Sequence, residues 1–406
     1  MTMRLYYTEP WRREFNAEVV GVTAVGGRAA VRLDRTAFYP TSGGQPFDTG
    51  TLGGARVVDV VDDEDAGEVL HVVEGVEPGA LAPGATVRGV VDWDRRVDHM
   101  QQHTGQHLLS AALHRLHDVR TLSFHLGADA STIDLAREVT PAEIASAEAA
   151  ANRVVWENHP VSIRFVTAEE AERLPLRKEP VKAGRLRLVE VEGFDLSACG
   201  GTHVSRTGAV GVIAVRASER LRGGTRLTFV CGARALASYH ALRDAVDAAA
   251  RPLTVHPGEL PAAVERLQSE RKALQREAKA LAERLAAFEA GALAKRATRL
   301  GAVSAVVEAL EGYDAAALKI VATTLVREPG RAAVLFSRTR PALVVAARSA
   351  DVSQVDCAEV ARALFARFGG KGGGRPDFAQ GGGLDATTGE LVAAAQDALA
   401  GPFAGG

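Results

Sequence analysis

Near the start of the chain, apolar and polar residues alternate in short runs. Phe15 to Val22, Ala29 to Leu33, Arg56 to Val61 and Glu68 to Val73 each place every second side chain on one face, with glycine-containing breaks between them. This pattern predicts a small antiparallel β-barrel over residues 1–92. From Arg95 to His117 the period lengthens: Val97, Met100, Leu108, Leu109, Ala112, Leu113 and Leu116 recur at helical spacing. Two strand-like runs follow, Thr121 to Leu126 and Ser131 to Leu135, joined through Gly127. Thr140, Pro141 and Glu143 then have the order of an N-cap, a first helical proline and a capping box, opening a helix to about Glu157. Val161 to Val166, Leu186 to Val191, Gly211 to Val215 and Thr225 to Val230 alternate as strands. Helices on one side of a mostly antiparallel sheet make residues 93–232 an α+β domain.

The period changes again over residues 233–298. A helix is expected from Ala233 to Ala250, able to fold back on the next as a hairpin. Leu260, Val264, Leu267, Leu274, Ala278, Leu281, Leu285, Phe288 and Ala292 then form a coiled-coil seam interrupted by Arg271. Such a seam pairs either within the chain or between two copies, as a homodimer. Residues 299–406 alternate strands with helices and read as an α/β domain that ends in a glycine-rich loop between Phe368 and Gly383. The expected fold class is thus multidomain α+β: barrel, α+β domain, helical coiled-coil linker and C-terminal α/β domain.

Composition narrows the classes of function. A chain of 406 residues needs more than one core, and 47% hydrophobic with 24% charged residues is the balance of a globular protein. No apolar run approaches the roughly 18 residues of a membrane span, and the first residues have no secretory apolar core, so a cytoplasmic protein without a membrane partner is expected. Three widely spaced cysteines, Cys199, Cys231 and Cys357, argue against a disulfide framework. With a formal charge of -2, any attraction for RNA must come from local patches.

Two segments carry the candidate chemistry. His103 and His107, four apart on a helix, point to one side, while Cys199-Gly200-Gly201-Thr202-His203 supplies a thiol and an imidazole across a tight turn. HxxxH arises by chance, and a C-G-G-x-H turn is often only a turn. Together they make a ligand set for zinc. In Phe38-Tyr39-Pro40-Thr41-Ser42-Gly43-Gly44-Gln45, the glycines either shape a wide hairpin loop or let backbone amides approach a ligand, with Gln45 as donor and acceptor. The glycine-rich stretch holds Lys371 and Arg375 and suits a phosphate backbone, although it lacks the order of a Walker loop.

These blocks, in this order, resemble the editing half of alanyl-tRNA synthetases and the free-standing AlaX-type alanyl-tRNA editing proteins. A synthetase carries a class II catalytic domain ahead of the barrel. Here the barrel comes first, so the chain resembles the long free-standing form, which does not aminoacylate. The resemblance implies that 93–232 is a zinc-binding editing domain with His103, His107, Cys199 and His203 as ligands. It further implies a trans-editing hydrolase whose partner is tRNA(Ala) mischarged with serine or glycine. No catalytic group separate from a zinc-bound water is expected, and Cys199 is the ligand expected to yield its place. The residue before the second histidine, often threonine in synthetases, is here Gln106, which keeps a hydrogen-bonding group for the serine hydroxyl. Gln45, Gly43, Gly44, Thr41, Ser123 and His125 are further substrate-binding candidates. Lys371, Arg375, Arg222 and Arg226 are candidates for tRNA. Two rival readings are a zinc editor of another aminoacyl-tRNA, such as Ser-tRNA(Thr), and a non-catalytic tRNA-binding protein with structural zinc.

Overall fold

The computed structural model describes residues 1–63, 65–75, 80–177 and 184–401. They divide into two compact units, Met1–Ala249 and Ala250–Gly406.

The first unit opens with strands β1 (Glu14–Val25), β2 (Arg28–Leu33), β3 (Gly50–Leu52), β4 (Ala55–Asp63), β5 (Glu68–Glu74) and β6 (Thr86–Val91). They close into a ring in the order β1-β2-β5-β4-β3-β6, every neighbour antiparallel. Alternation along β1 turns Phe15, Ala17 and Val19 into the ring, where they pack with Val31, Leu33, Phe38, Leu52, Val57 and Val69. The sequence pattern does not single out β3 or β6. β3 is too short to show a period, yet it is the piece that joins β4 to β6.

Helix α1 (Trp93–His117) follows, its N-terminus capped by Asp92, which accepts from the Arg95 amide. Next come β7 (Thr121–Leu126), β8 (Ser131–Leu135), α2 (Pro141–Glu157), β9 (Val161–Val166), β10 (Leu186–Val191), β11 (Asp195–Ala198), β12 (Ile213–Leu221), β13 (Gly224–Cys231) and α3 (Ala233–Ala250). Thr140 and Glu143 form the capping box of α2, with Pro141 in its first turn. The strands make a four-stranded sheet β12-β13-β8-β7 and a three-stranded sheet β9-β10-β11. From Gln102 to Leu113 every residue of α1 is buried, because α2, β7, β11 and β13 all pack against it. Gly105 permits that closeness: a Cβ there would lie 2.3 Å from Cys231 Sγ.

A buried ion pair fastens α1 to the ring. Arg96 and Asp48 are both fully buried, and the guanidinium also donates to the carbonyls of Pro10 (2.6 Å) and Ala37 (2.5 Å). Asp48 in turn accepts from the Tyr39 amide at 2.6 Å. Every charge and dipole is answered, as a buried pair requires.

The second unit contains α4 (Leu260–Ala294), β14 (Thr298–Leu300), β15 (Val303–Leu310), α5 (Ala315–Leu325), β16 (Arg331–Ser337), β17 (Ala342–Arg348), α6 (Cys357–Phe368), β18 (Lys371–Arg375), β19 (Phe378–Leu384) and α7 (Thr388–Ala400). Its sheet has the order β14-β15-β16-β17-β19-β18, with β15 and β16 parallel and the other pairs antiparallel. The seam read along α4 lies on a continuous helix, but Val264, Leu267, Leu274, Leu281, Leu285 and Phe288 are exposed; Ala263, Ala286, Ala290 and Leu293 are its buried residues.

One expectation is corrected. The glycine-rich stretch is a β-hairpin, not a loop: Gly372, Gly373 and Gly374 sit in β18, and Gly381 to Gly383 in β19. The glycines serve close approach between strands. A Cβ on Gly374 would come within 2.1 Å of the Phe378 carbonyl oxygen, and one on Gly381 within 2.4 Å of the Phe365 ring.

Candidate metal centre

His103 and His107 lie on α1, one turn apart; Cys199 and His203 lie on the segment that leaves β11. The four side chains converge, each offering one ligand atom, and these atoms all lie within 4.8 Å of one another. Cys199 Sγ is 3.4 Å from both His103 Nε2 and His203 Nε2. Tetrahedral zinc with bonds of about 2.0–2.3 Å would separate such atoms by roughly 3.3–3.6 Å, so the spacing suits a metal held by three nitrogens and one sulfur.

The support around the imidazoles points the same way. His103 Nδ1 is 2.9 Å from Gln45 Oε1, His107 Nδ1 is 2.9 Å from Asp195 Oδ2, and His203 Nδ1 is 3.1 Å from Thr104 Oγ1. With each Nδ1 engaged by an oxygen, the Nε2 edges of the rings are left to face the cluster, the arrangement that orients metal-bound histidines. Asp195 is itself fixed by Arg177 (2.6 and 3.1 Å) and Ser197 (3.2 and 3.1 Å). The Cys199 turn is held by Arg187, which donates to the carbonyls of Cys199 (2.5 Å) and Tyr7 (2.9 Å). Gly201 has no room for a side chain, since a Cβ would sit 2.1 Å from His103 Cε1.

Charge follows from this geometry. Burial opposes ionisation of the Cys199 thiol, but the surrounding imidazoles overcome it and hold its pKa well below the ordinary value. Burial also disfavours His107 imidazolium, yet hydrogen bonds to Asp195 and Cys199 raise its pKa to about 9. His203 goes the other way, to about 3, because burial dominates there. Asp195, despite burial, is held far below the usual carboxylate range by His107 and Arg177. A thiolate beside an imidazolium is a centre from which a metal displaces a proton.

Beside the four ligands is a cavity of about 180 Å³ lined by Tyr39, Gly43, Gln106, Thr121, Ser123 and Phe124 among others. It is smaller than the roughly 300 Å³ at which drug-sized sites begin, and so suits a small group. Gln106 and Ser123 both line it: Gln106 Nε2 donates to Ser110 Oγ (2.8 Å), and Ser123 Oγ donates to Asp134 (2.8 Å). Of the other substrate candidates, Gly43 reaches the cavity and Gln45, Gly44, Thr41 and His125 do not. Gln45 is fully buried, spent on His103 and on Thr202, to which its Nε2 donates at 2.9 Å. Gly43 and Gly44, at φ +57° and +85°, make a two-residue turn closed by Ser42 and Gln45. Gly43 lines the cavity, whereas Gly44 packs against the Phe124 carbonyl. Thr41 accepts from the Phe47 amide at 3.2 Å and does not line the cavity; neither does the exposed His125.

Among the RNA candidates, Lys371 and Arg375 are exposed on the edge strand β18, and Arg222 is exposed in the turn before β13. Arg226 is tied to Asp134 at 2.7 and 2.9 Å, and Arg375 is paired with Asp377 at 3.3 Å. The residues missed by sequence reasoning are Asp195, Thr104, Thr202, Arg177 and Arg187. All are supports, and no fixed spacing from the ligands announces them.

Three families match the chain: "tRNA synthetases class II (A)" over residues 11–95, "Threonyl and Alanyl tRNA synthetase second additional domain" over 186–227, and "DHHA1 domain" over 302–401. The second of these matches spans Cys199 and His203, two of the four clustered side chains. The alanine–tRNA ligase of Pyrococcus abyssi is 35% identical over 94% of this chain, and that of Halorubrum lacusprofundi 37% over 95%; the chain spans 42% of the length of each. The alanyl-tRNA editing protein AlaX-L of Pyrococcus horikoshii is 32% identical over 94% of both chains. The C-Ala domain of Aquifex aeolicus alanyl-tRNA synthetase matches 26% of this chain at 27% identity, covering 97% of that domain with a TM-score of 0.24. The chain belongs to the family of AlaX-L alanyl-tRNA editing proteins. Among the described residues no helix is long and apolar enough to cross a membrane.

Proposed function

We propose that the protein is a hydrolase that releases serine, and also glycine, from mischarged tRNA(Ala), with zinc as its metal. The observation that carries this is the convergence of three imidazoles and one thiolate beside a small polar cavity. The need for such a site is chemical. A synthetase pocket shaped for alanine rejects serine only weakly, by about a hundredfold in comparable cases. A second pocket that pairs with the hydroxyl discriminates better, because its own polar groups go unpaired when alanine enters.

In this reading Gln106 is the specificity residue. Its Nε2 is committed to Ser110, which leaves Oε1 to accept from the serine hydroxyl. Ser123, whose proton is given to Asp134, offers lone pairs to the substrate ammonium. Gln45, Asp195 and Thr104 orient the three imidazoles, and Arg187 holds the Cys199 turn. Zinc at His103, His107, Cys199 and His203 would supply Lewis acidity toward the ester. The Gly201 amide donates to Cys199 Sγ at 3.4 Å, which favours a retained thiolate over one that yields its place. Lys371, Arg375 and Arg222 are left as RNA contacts, and the exposed seam of α4 as a contact between two copies.

The test is release of radiolabelled amino acid from Ser-, Gly-, Ala- and Thr-charged tRNAs, with and without a chelator. Fast release of serine from tRNA(Ala), slow release of alanine, and loss of both on chelation are expected. No serine release at micromolar enzyme would leave a tRNA-binding protein with structural zinc. Release confined to Ser-tRNA(Thr) would assign the site to the threonyl system.

A further inference from the structure

A second cavity, of about 350 Å³, lies against the first and shares Thr121, Leu122 and Arg177 with it. Its remaining wall includes Ser110, His114 and Arg120, and among the described residues it contains no carboxylate. Among the described residues, the polar groups of this cavity divide into those engaged within hydrogen-bond distance and two that are not, His114 and Arg120. Ser110 Oγ accepts from Gln106 and from Thr121 (2.7 Å), Arg177 is spent on Asp195, and His114 Nε2 stands 3.9 Å from the exposed carboxylate of Asp118. Arg120 is exposed, and among the described residues it makes no ion pair or side-chain hydrogen bond. Beside it Leu122 is 62% exposed, an apolar side chain left in water at the junction of the two cavities.

We infer that this second cavity binds the single-stranded RNA end that enters the first, with Arg120 on the phosphodiester preceding the terminal nucleoside and Leu122 against a base. The inference rests on the proposed reading of the site and specifies its substrate path. The terminal ribose bears the aminoacyl ester on one side and the phosphodiester on its 5′ carbon. A substrate whose acyl group fills the first cavity must therefore lay a phosphate within one ribose of it. A cation with no carboxylate partner among the described residues attracts the backbone phosphate, and an apolar side chain beside it offers a contact for a base. Gln106, Ser110 and Thr121 form the hydrogen-bonded partition between the two cavities, so the acyl and phosphate ends are read by different residues.

The experiment is fluorescence anisotropy of a labelled single-stranded RNA ending in CCA, titrated with the full chain at several salt concentrations. Arg120→Gln is expected to weaken binding about tenfold and to flatten the slope of log K against log salt by about 0.7, one single-strand phosphate contact. Arg120→Lys restores most of the affinity and the slope, which a merely misfolded loop would not do. Leu122→Ala weakens binding severalfold with the slope unchanged. Unchanged affinity in Arg120→Gln, or a loss with no change of slope, overturns the inference. Serine release by the wild type is measured in parallel. Release together with an indifferent Arg120 sinks the RNA path alone; an Arg120-dependent affinity without release sinks the hydrolase reading and leaves the RNA site standing.

Discussion

The two units handle their functional polar groups in opposite ways. Around the candidate metal centre of the first, His103, His107, His203, Gln45, Thr104, Asp195 and Thr202 are buried, and each has a named partner. In the second, Lys371 and Arg375 stand exposed on the outermost strand, and the apolar seam of α4 is exposed along its length. The difference teaches where precision is needed. A ligand set has to be held to a fraction of an ångström, which takes buried, fully paired supports. A surface that meets a flexible polyanion needs only charge within reach. Damage should therefore be steep in the first region and shallow in the second.

The steepest effect is expected at the ligands. His103→Ala should lower serine release on the order of a thousandfold and abolish metal retention, as read by metal analysis of the purified protein. Next comes the clamp between α1 and the ring: Arg96→Ala strands Asp48 in a site with no solvent access, and chemical unfolding should show a loss of about 3–5 kcal/mol confined to the first unit.

Acid provides a third contrast. His71, in the ring, is fully buried between Thr36 Oγ1 (2.8 Å) and the Val31 carbonyl (2.9 Å), and burial lowers its pKa to about 4. Unfolded, the same group titrates near 6.5, so below that pH the unfolded chain binds the extra proton. Stability contributed by neutral His71 is complete above about pH 6.5, is lost as the pH falls toward about 4, and amounts to about 3 kcal/mol. Urea unfolding of wild type and His71→Leu across that range should show the wild type losing stability more steeply. Parallel curves would contradict it.

Smaller effects sharpen the comparison. Asp195→Asn and Gly201→Ala should each weaken metal affinity about 10–100-fold without unfolding the domain, read by competition with a chelating dye. At the shallow end, Arg375→Gln should cost a fewfold in tRNA affinity, and Leu274→Gln should leave the stability of a single chain within about 0.5 kcal/mol. A loss of several kcal/mol at Leu274 would mean that the seam is covered in the protein as tested.

Periodicity and ligand chemistry were legible in the sequence; support and close approach were not. Alternation located β1, β2, β4 and β5, and a capping box located α2, because each is a local signal written within a few residues. The four clustered side chains, His103, His107, Cys199 and His203, were legible as residue types, since a cysteine and three histidines in such pairs form a ligand set. Gln45 was read as a substrate contact because it offers a donor and an acceptor beside two glycines that let the backbone approach a ligand; what engages it is Thr202, 157 positions away. Asp195 and Arg187 act through contacts that exist only once β10 and β11 meet α1 and the N-terminal segment. The glycine-rich hairpin misled for a different reason: glycine marks both chain breaks and crowded strands, and only the neighbouring backbone distinguishes them.

The most direct measurement is anomalous scattering at the zinc edge from crystals of the protein. The account predicts a single strong peak bounded by His103 Nε2, His107 Nε2, His203 Nε2 and Cys199 Sγ, absent in crystals of His103→Ala. A peak held by other residues, or none in zinc-replete protein, would contradict it.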